Sequence, residues 1–418
     1  MNANGYVDDV NGWNFLGNAS NEQLEYVRLV ASGDTSNPRF TEAKELLSKE
    51  YEKTNKNKKQ YDEILTQLTT SDAAVAKYLK KTHYTKEDVD GIFTTDWDLL
   101  KHARIIKQSY GFGFDSIEAL MKDLKTGLKA FNERLDYKLN IGFDGRKIVG
   151  DNPNDLNDRN YGNSDVRAKN GRTHGTHVSG IIAAKRNNGI GINGAANNVK
   201  IMAIRNTPSG DEYDKDVALG VYYAVDNGAK VINMSFGKSF SPHSDWVRNA
   251  IAYAAENDVL IVAASGNDGK NTDLINYFPN DQINNGTEVS NTFLKVGSNG
   301  PKYGSSLVAS YSNYGKSTVD VFAPGSQIYS TYPKESYEFA SGTSMAAPLG
   351  AGVAALIFSQ YPNLSAAQVK QILITSGIAI NKNMSLGDGT TEPFSELSKS
   401  GKIINAYNAL IMASKLSK

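Results

Sequence analysis

The chain has 418 residues, and at roughly 150 residues per domain this length predicts two or three domains, each able to bury a core. Its 45 Lys and Arg balance 45 Asp and Glu, so no net charge attracts the chain to nucleic acid or to acidic membranes. The absence of cysteine excludes disulfides, thiolate nucleophiles and Cys-ligated zinc, so any chemistry must use oxygen and nitrogen atoms.

Residues 1–20 are rich in Asn, Gly and Asp and contain one strand candidate, Gly12–Leu16. The first 15 residues have neither the basic nor the apolar region of a secretory signal. We expect them to be an N-terminal remnant of the domain that resumes at residue 138. The longest apolar stretches, such as Val259–Ala264 and Ala351–Phe358, are shorter than the roughly 18 residues that span a bilayer, so no membrane span is predicted.

Residues 21–137 show a helical pattern, in which apolar side chains recur every three or four positions with Lys and Glu between them. This region is predicted to be a helical insertion. Its stretch Glu42–Glu63 carries charges of both signs, which is typical of a solvated helix face. The alternative is that the insertion docks a partner protein.

Residues 138–418 alternate short apolar runs with helical patterns. The predicted strands are Lys200–Arg205, Lys230–Ser235, Val259–Ala264, Phe293–Gly297 and Val319–Ala323. The predicted helices are His174–Arg186, Asp214–Asn227, Ser244–Asn257, Ser344–Gln360, Ser365–Ser376 and Ile403–Leu416. The predicted fold class is therefore α/β, a doubly wound parallel sheet with helices on both faces, plus an α-helical insertion. Such sheets bind ligands at the carboxyl ends of their strands.

A serine at the start of a buried helix is the first candidate for chemistry. Ser344 follows the turn Ser341-Gly-Thr and precedes the apolar run Leu349–Phe358. Its hydroxyl would lie at the positive end of the helix dipole, beside backbone N–H groups without helical partners, as suits a nucleophile. The alternative is that Thr343 or Ser344 only caps the helix.

Two further candidates lie at the ends of predicted elements. His174 opens an apolar helix, where its imidazole could act as a general base. His177 lies three residues later without the His-Glu-x-x-His pattern of a zinc site, so we expect it to be structural. Asn267 follows the buried strand Val259–Ala264 and could donate an N–H to an oxyanion, unless it only forms a turn.

Together these segments resemble the subtilisin-like (subtilase) serine peptidases over roughly residues 140–410. The resemblance implies that His174 is the general base, Ser344 the nucleophile and Asn267 the oxyanion-hole side chain. The order His before Ser also excludes an α/β-hydrolase, in which His follows Ser. By resemblance, residues 138–418 form the catalytic domain, and two segments line the pocket for the residue before the scissile bond. The residues so assigned are Ser235, Phe236, Gly237, Ala264, Ser265 and Gly266.

The resemblance also implies the partners and the compartment. The family hydrolyses polypeptide substrates through an acyl-enzyme and requires no organic cofactor, while calcium is the metal that Asp-rich loops of this kind would bind. No nucleic-acid partner is expected, and the oligomeric state is not predicted. The family's bacterial members are mostly exported, so an extracellular or cell-envelope location is expected.

One member of the family's triad has no counterpart in the sequence. The orienting Asp should end an apolar strand that precedes His174. No such strand precedes Asp8 or Asp9, and Asp151 lies in a loop that is rich in turn-forming residues. We therefore expect the Asp and its strand to be missing from this chain, which would impair activity and leave a gap in the sheet. The alternative function is a catalytically inactive, subtilase-like module that binds peptides.

Overall fold

The computed structural model describes residues 5–167, 172–284 and 286–417. It divides into two compact units. One contains the chain up to Glu25 together with everything from Gly145 onward, and the other spans Tyr26–Asp144. The helices in chain order are α1 (Glu25–Ser32), α2 (Phe40–Leu79), α3 (Lys86–Asp90), α4 (Trp97–Tyr110), α5 (Ile117–Glu133), α6 (Arg146–Val149), α7 (His174–Ala183), α8 (Asp214–Asp226), α9 (Ser244–Glu256), α10 (Thr343–Gln360), α11 (Ala366–Thr375) and α12 (Ala406–Leu416).

The strands are short, and most belong to the unit that contains the predicted site residues. They are β1 (Gly12–Asn14), β2 (Ala203–Arg205), β3 (Val231–Met234), β4 (Leu260–Ala264), β5 (Phe293–Asn299), β6 (Val321–Pro324), β7 (Ile328–Tyr332), β8 (Ser336–Ala340), β9 (Ile378–Ala379), β10 (Asn383–Ser385), β11 (Thr391–Pro393) and β12 (Lys402–Ile403). All five strands predicted between residues 200 and 323 are present, although Lys200–Arg205 is shortened to β2. The hairpins β7–β8 and β10–β11 were not predicted.

The unit Tyr26–Asp144 is helical, as the sequence pattern of this region indicates. Its apolar stripe is buried in one small core, formed by Leu68 and Val75 of α2, Ile106 of α4, and Leu120 and Leu124 of α5. The charged stretch of residues 42–63 lies within α2, and most of its side chains are exposed. The apolar residues at helical spacing therefore mark the buried side of these helices, and the charged residues between them mark the solvated side.

The larger unit is built on a six-stranded sheet with the order β3-β4-β5-β6-β12-β9. Its strands pair in parallel except for β12 with β9. Along β4, Leu260, Val262 and Ala264 face a core formed with α10, α11 and α12. Ile261 and Ala263 face a second core formed with α8 and α9. This alternation with both faces buried confirms the predicted α/β fold class.

A smaller parallel sheet, β1–β2, lies in the same unit but is not hydrogen-bonded to the six-stranded sheet. Helix α8 covers both. Leu219 and Tyr223 pack with Trp13 and Phe15 beside the small sheet, while other α8 residues pack on β3 and β4. Among the described residues, no strand pairs with the second edge of β2 or of β3. The two parallel sheets of this unit are therefore separate, and the expectation of a missing strand stays a prediction.

Helix α10 is the central helix of this unit. It is long and apolar enough to cross a membrane by length and composition alone, but 61% of it is buried inside the protein. Its residues Ala346, Ala347, Ala351 and Ala354 are fully or almost fully buried against the sheet. The small side chains let the helix approach the strands closely, which fixes its first turn relative to the sheet.

Candidate active site

Ser344 is the second residue of α10 and is bonded to the carboxyl end of β3. Its Oγ donates a hydrogen bond to the Ser235 carbonyl at 3.1 Å. In return, the Ser235 Oγ donates to the Ser344 carbonyl at 2.8 Å. This reciprocal pair fixes the start of α10 at the edge of the sheet where its parallel strands end.

Asn267 follows β4 and binds the same helix terminus. Its Oδ1 accepts hydrogen bonds from Thr343 N at 2.8 Å and from Thr343 Oγ1 at 3.0 Å. The N-cap residue of α10, Gly342, offers no side-chain cap, so Asn267 supplies the missing acceptor from a distant segment. Neither Thr343 nor Ser344 is the N-cap of α10, so the alternative that one of them only caps the helix is wrong.

The other side of the Asn267 amide is available to a ligand. Asn267 is exposed, and within the described residues its Nδ2 donates no hydrogen bond. An ideal Cβ built on Gly342 would lie 3.6 Å from Asn267 Nδ2 and 3.7 Å from Ser344 N. The same point lies 3.6 Å from Asn267 Oδ1, which already accepts from Thr343, so Asn267 Nδ2 and Ser344 N are the two donors near it that an oxyanion could use.

His174 is the first residue of α7, and its side chain is exposed. Desolvation by the protein around the ring lowers the pKa of His174, and the nearby His177 lowers it further. In the part of the chain that the structure describes, the ring of His174 forms no hydrogen bond with Ser344 or with a carboxylate. At neutral pH the imidazole is therefore uncharged, as a general base must be.

The packing of α7 against α10 relates His174 to Ser344. Val178 and Ile181 of α7 contact Met345, and Ile182 lies next to Gly352, two turns further along α10. Val178 lies one turn after His174, and Met345 directly follows Ser344, so the first turns of the two helices contribute to the same apolar cluster. The structure thus brings the start of the His174 helix to the start of the Ser344 helix.

His177 is buried, as predicted for a structural residue. Its Nε2 lies 3.0 Å from the Ile328 carbonyl and 3.1 Å from the Glu338 carbonyl, so this nitrogen carries the proton. These two carbonyls belong to strands β7 and β8. His177 therefore anchors α7 to the β7–β8 hairpin.

The two predicted pocket walls follow neighbouring strands. Residues 235–237 continue from β3, and residues 264–266 end β4, which pairs in parallel with β3. Gly266 N donates to Thr343 Oγ1 at 3.2 Å, and Ser235 contacts Ser344, so both walls reach the helix start. The Phe236 side chain packs against the core that α8 and α9 form, while the Ser265 Oγ is buried and donates to the Asn313 carbonyl.

Tyr277 also belongs to this region, and sequence reasoning missed it. An ideal Cβ on Gly237 would lie 2.6 Å from Tyr277 Cε1, and one on Gly266 would lie 2.5 Å from Tyr277 Cζ. The tyrosine ring thus touches both walls. The segment 276–279 shows no periodicity, and only the aromatic pair before Pro279 could have drawn attention to it.

The three Asp candidates for orienting the base are engaged elsewhere or exposed. Asp8 is exposed, and Asp9 accepts a hydrogen bond from the Tyr223 hydroxyl at 2.8 Å. Asp151 is buried in an ion-pair cluster, 2.6 Å from Arg146 and 2.5 Å from Lys215. Across the described ranges, no group of three or more acidic or His side chains could hold a metal ion. Calcium binding stays a prediction.

The sequence of the chain is similar to one protein family and to several of its members. The model of the Subtilase family (peptidase S8) matches residues 123–401, more than half of the chain. The chain is 37% identical over 268 residues to the thermophilic serine proteinase of Bacillus sp. (strain AK1), covering 64% of this chain and 57% of that protein. It is 38% identical over 230 residues to the cell wall-associated protease of Bacillus subtilis (strain 168), covering 55% of this chain and 22% of that protein.

A third relative is thermitase of Thermoactinomyces vulgaris, which is 42% identical over 200 residues. This match covers 47% of the chain and 65% of thermitase. The chain therefore spans less than two thirds of the length of each of these three relatives.

Proposed function

The chain belongs to the subtilase family of serine peptidases, and we propose that it is a serine endopeptidase that cleaves polypeptides through an acyl-enzyme. The observation that carries the proposal is the double role of Asn267. Its Oδ1 fixes the start of α10, and its Nδ2 and the Ser344 N–H both lie within 3.7 Å of the ideal Cβ position of Gly342. The cap leaves the Asn267 Nδ2 without a partner among the described residues, so this donor is available to an oxyanion.

In the proposed reaction, His174 removes the proton from the Ser344 hydroxyl as Oγ attacks the scissile carbonyl carbon. The carbonyl oxygen becomes an oxyanion, which accepts hydrogen bonds from Asn267 Nδ2 and Ser344 N. The C–N bond then breaks while His174 returns the proton to the leaving amine. Water hydrolyses the acyl ester with the same base, which regenerates the Ser344 hydroxyl.

The proposed reaction requires rotation of the Ser344 side chain. The Ser344 hydroxyl donates to Ser235 and must turn toward His174. Rotation about the single χ1 angle of a half-buried serine is fast, and catalytic hydrogen bonds often form only when substrate is bound. The substrate would bind as an extended strand along residues 236–237. By analogy with its relatives, we propose an extracellular or cell-envelope location.

A second candidate is a module that binds peptides without cleaving them. It is favoured by the absence of a hydrogen bond from His174 to Ser344 or to a carboxylate within the described residues. An imidazole without an orienting carboxylate adopts the productive tautomer and orientation less often, so turnover would be low.

A fluorophosphonate probe separates the two candidates. The activated Ser344 Oγ would form a bond to phosphorus as fluoride leaves, and mass spectrometry would locate the adduct on that residue. We expect labelling of the full chain and none of Ser344→Ala, with Ser341→Ala as the matched control that still labels. If peptides bind while no serine reacts, the binding module is correct and the peptidase is not.

A further inference from the structure

We propose that Tyr277 closes the pocket for the residue before the scissile bond and restricts that residue to a small side chain such as Gly, Ala or Ser. The inference rests on the proposed function, because it assumes that residues 235–237 and 264–266 line this pocket. It names a specificity-determining residue that no sequence pattern marks.

The first observation is the position of the ring. The ideal Cβ of Gly237 would be 2.6 Å from Tyr277 Cε1, and that of Gly266 would be 2.5 Å from Cζ and 2.6 Å from Cε1. Real Cβ atoms do not approach other heavy atoms so closely, so any larger residue on either wall would collide with the ring. The Tyr277 ring therefore occupies the space next to both glycines, together with the Phe278 carbonyl beside Gly237 and the Asn313 side chain beside Gly266.

The second observation is that the backbone around Tyr277 is fixed. Phe278 N donates to the Lys238 carbonyl and Lys238 N donates to the Phe278 carbonyl, both at 2.9 Å. This antiparallel bridge attaches the Tyr277 segment directly after the wall residue Gly237. The ring cannot leave the pocket by a shift of its own segment without breaking both bonds.

Two more hydrogen bonds hold the carbonyl of Tyr277 from the opposite side. Lys295 Nζ, on the buried strand β5, donates to it at 3.1 Å, and Asn280 Nδ2 donates at 3.3 Å. The Lys295 side chain is almost completely buried. Because the carbonyl, the following amide and the next carbonyl are all bonded, only rotation of the side chain could open the pocket.

The third observation concerns charge. Burial raises the pKa of the Tyr277 hydroxyl, so the ring stays neutral throughout the working range of pH. The pocket floor then presents a neutral, largely apolar ring at short range. A small side chain would contact this ring, whereas Phe or Leu would have to displace it, and an extra methylene group alone changes selectivity by roughly 10-fold or more.

Binding of product-like peptides tests the proposal without requiring turnover. Fluorescein-labelled Ala-Ala-Ala-Ala and Ala-Ala-Ala-Phe would place their terminal carboxylates at Asn267 Nδ2, which sets the register of the last residue. We expect the full chain to bind the Ala-ending peptide roughly 10-fold or more tightly than the Phe-ending one by fluorescence anisotropy. Tyr277→Gly should reverse the preference, because it empties the pocket.

Two control variants show whether a changed preference comes from loss of the Tyr277 ring or from a general effect of substitution on the fold. Tyr277→Phe keeps the ring and should keep the preference for Ala. Tyr303→Gly removes the same side chain from an exposed position of the same unit and should also leave the preference unchanged. Equal or tighter binding of the Phe-ending peptide by the unmodified chain overturns the proposal, as does an unchanged preference in folded Tyr277→Gly or the failure of both peptides to bind.

Peptide binding tests the role of Tyr277, and fluorophosphonate labelling tests the peptidase activity, so the two can fail separately. If the chain prefers the Ala-ending peptide but does not react with the fluorophosphonate, the role of Tyr277 is supported and the peptidase activity is contradicted. If the chain reacts at Ser344 but binds the Phe-ending peptide more tightly, the peptidase activity is supported and the role of Tyr277 is contradicted.

Discussion

The two sides of the candidate site are held in place very differently. On the nucleophile side, direct hydrogen bonds join Ser344 and Thr343 at the start of α10 to Ser235 and Asn267, which follow the neighbouring strands β3 and β4. On the base side, His174 starts a helix without a side-chain cap, and the structure shows no hydrogen bond from its ring within the described residues. The base is positioned through its helix, by the packing of α7 against α10 and by hydrogen bonds of residues 176 and 177 to the β7–β8 hairpin.

This difference shows which part of the site is preorganised. Donors that are already aimed at a developing charge need no rearrangement at the moment of reaction, and such donors supply a large share of catalysis. A base is effective only when its tautomer and orientation are also fixed. We therefore expect the nucleophile side to contribute more to reactivity than the base side, and the following predictions test that order.

The largest effect is expected from Asn267→Asp. The carboxylate keeps an acceptor for Thr343, so the cap of α10 survives, but the Nδ2 donor is replaced by a negative charge. The rate of labelling by the fluorophosphonate should fall by roughly 100- to 1,000-fold, a magnitude that comes from subtilisin, a member of the same family. The melting temperature should stay within a few degrees, and a large fall would show that Asn267 is mainly structural.

His174→Ala should have a smaller effect than in a complete triad. In subtilisin, a relative of this chain, loss of His costs on the order of a million-fold and loss of Asp alone costs on the order of ten-thousand-fold. A base that lacks its orienting carboxylate should therefore contribute only about 100-fold. The labelling rate of His174→Ala against that of the unmodified chain measures this directly. His243→Ala, a change at a half-buried ring elsewhere in the unit, serves as the control. A loss near a million-fold would mean that the base is already fully oriented.

The pH dependence of labelling distinguishes an isolated base from an oriented one. The surrounding protein lowers the pKa of His174 below its ordinary value of 6.5, so the neutral form persists to lower pH. As pH falls, the labelling rate should therefore decline with a midpoint below pH 6.5, and His174→Ala should lack this decline. A carboxylate against the ring would stabilise the charged form and move the decline upward. A midpoint at or above pH 6.5 would thus contradict the isolated base.

Ser235→Ala should have the smallest effect. It removes the hydrogen bond to the Ser344 carbonyl but leaves the Ser235 backbone and the Asn267 cap in place. We expect a loss of about 1 kcal/mol in the free energy of unfolding and less than about 10-fold in labelling rate. Chemical denaturation and the probe measure the two quantities. A loss of reactivity as large as that of Asn267→Asp would show that the nucleophile side depends on a single bond.

Much of the fold and the nucleophile side follow from local sequence patterns. The run Leu260–Ala264 is apolar on both faces, so its periodicity indicates a buried parallel strand wherever it lies in the chain. Ser344 and Asn267 stand directly at the ends of strongly apolar elements, which is where this class of sheet binds ligands. For these residues the local pattern and the tertiary environment agree.

The residues that the sequence did not reveal depend on distant contacts. Tyr277 enters the site because its segment bonds to Lys238 and Lys295, which are 39 residues before and 18 residues after it. Asp151 lies in a turn-rich loop, yet it is buried because Arg146 and the distant Lys215 surround it. The spacing of apolar residues predicts which side of a helix or strand is buried, but it does not predict which loop packs against that side.

The separation of β1–β2 from the six-stranded sheet has a consequence for the behaviour of the protein in solution. The outer edges of β2 and β3 leave backbone donors and acceptors that no described strand satisfies, under the shared cover of α8. Such edges are templates for an extended chain, and nothing in their chemistry distinguishes a segment of the same molecule from a segment of another. A concentrated solution of this chain should therefore self-associate through added strands, and light scattering should rise with concentration before any loss of helix.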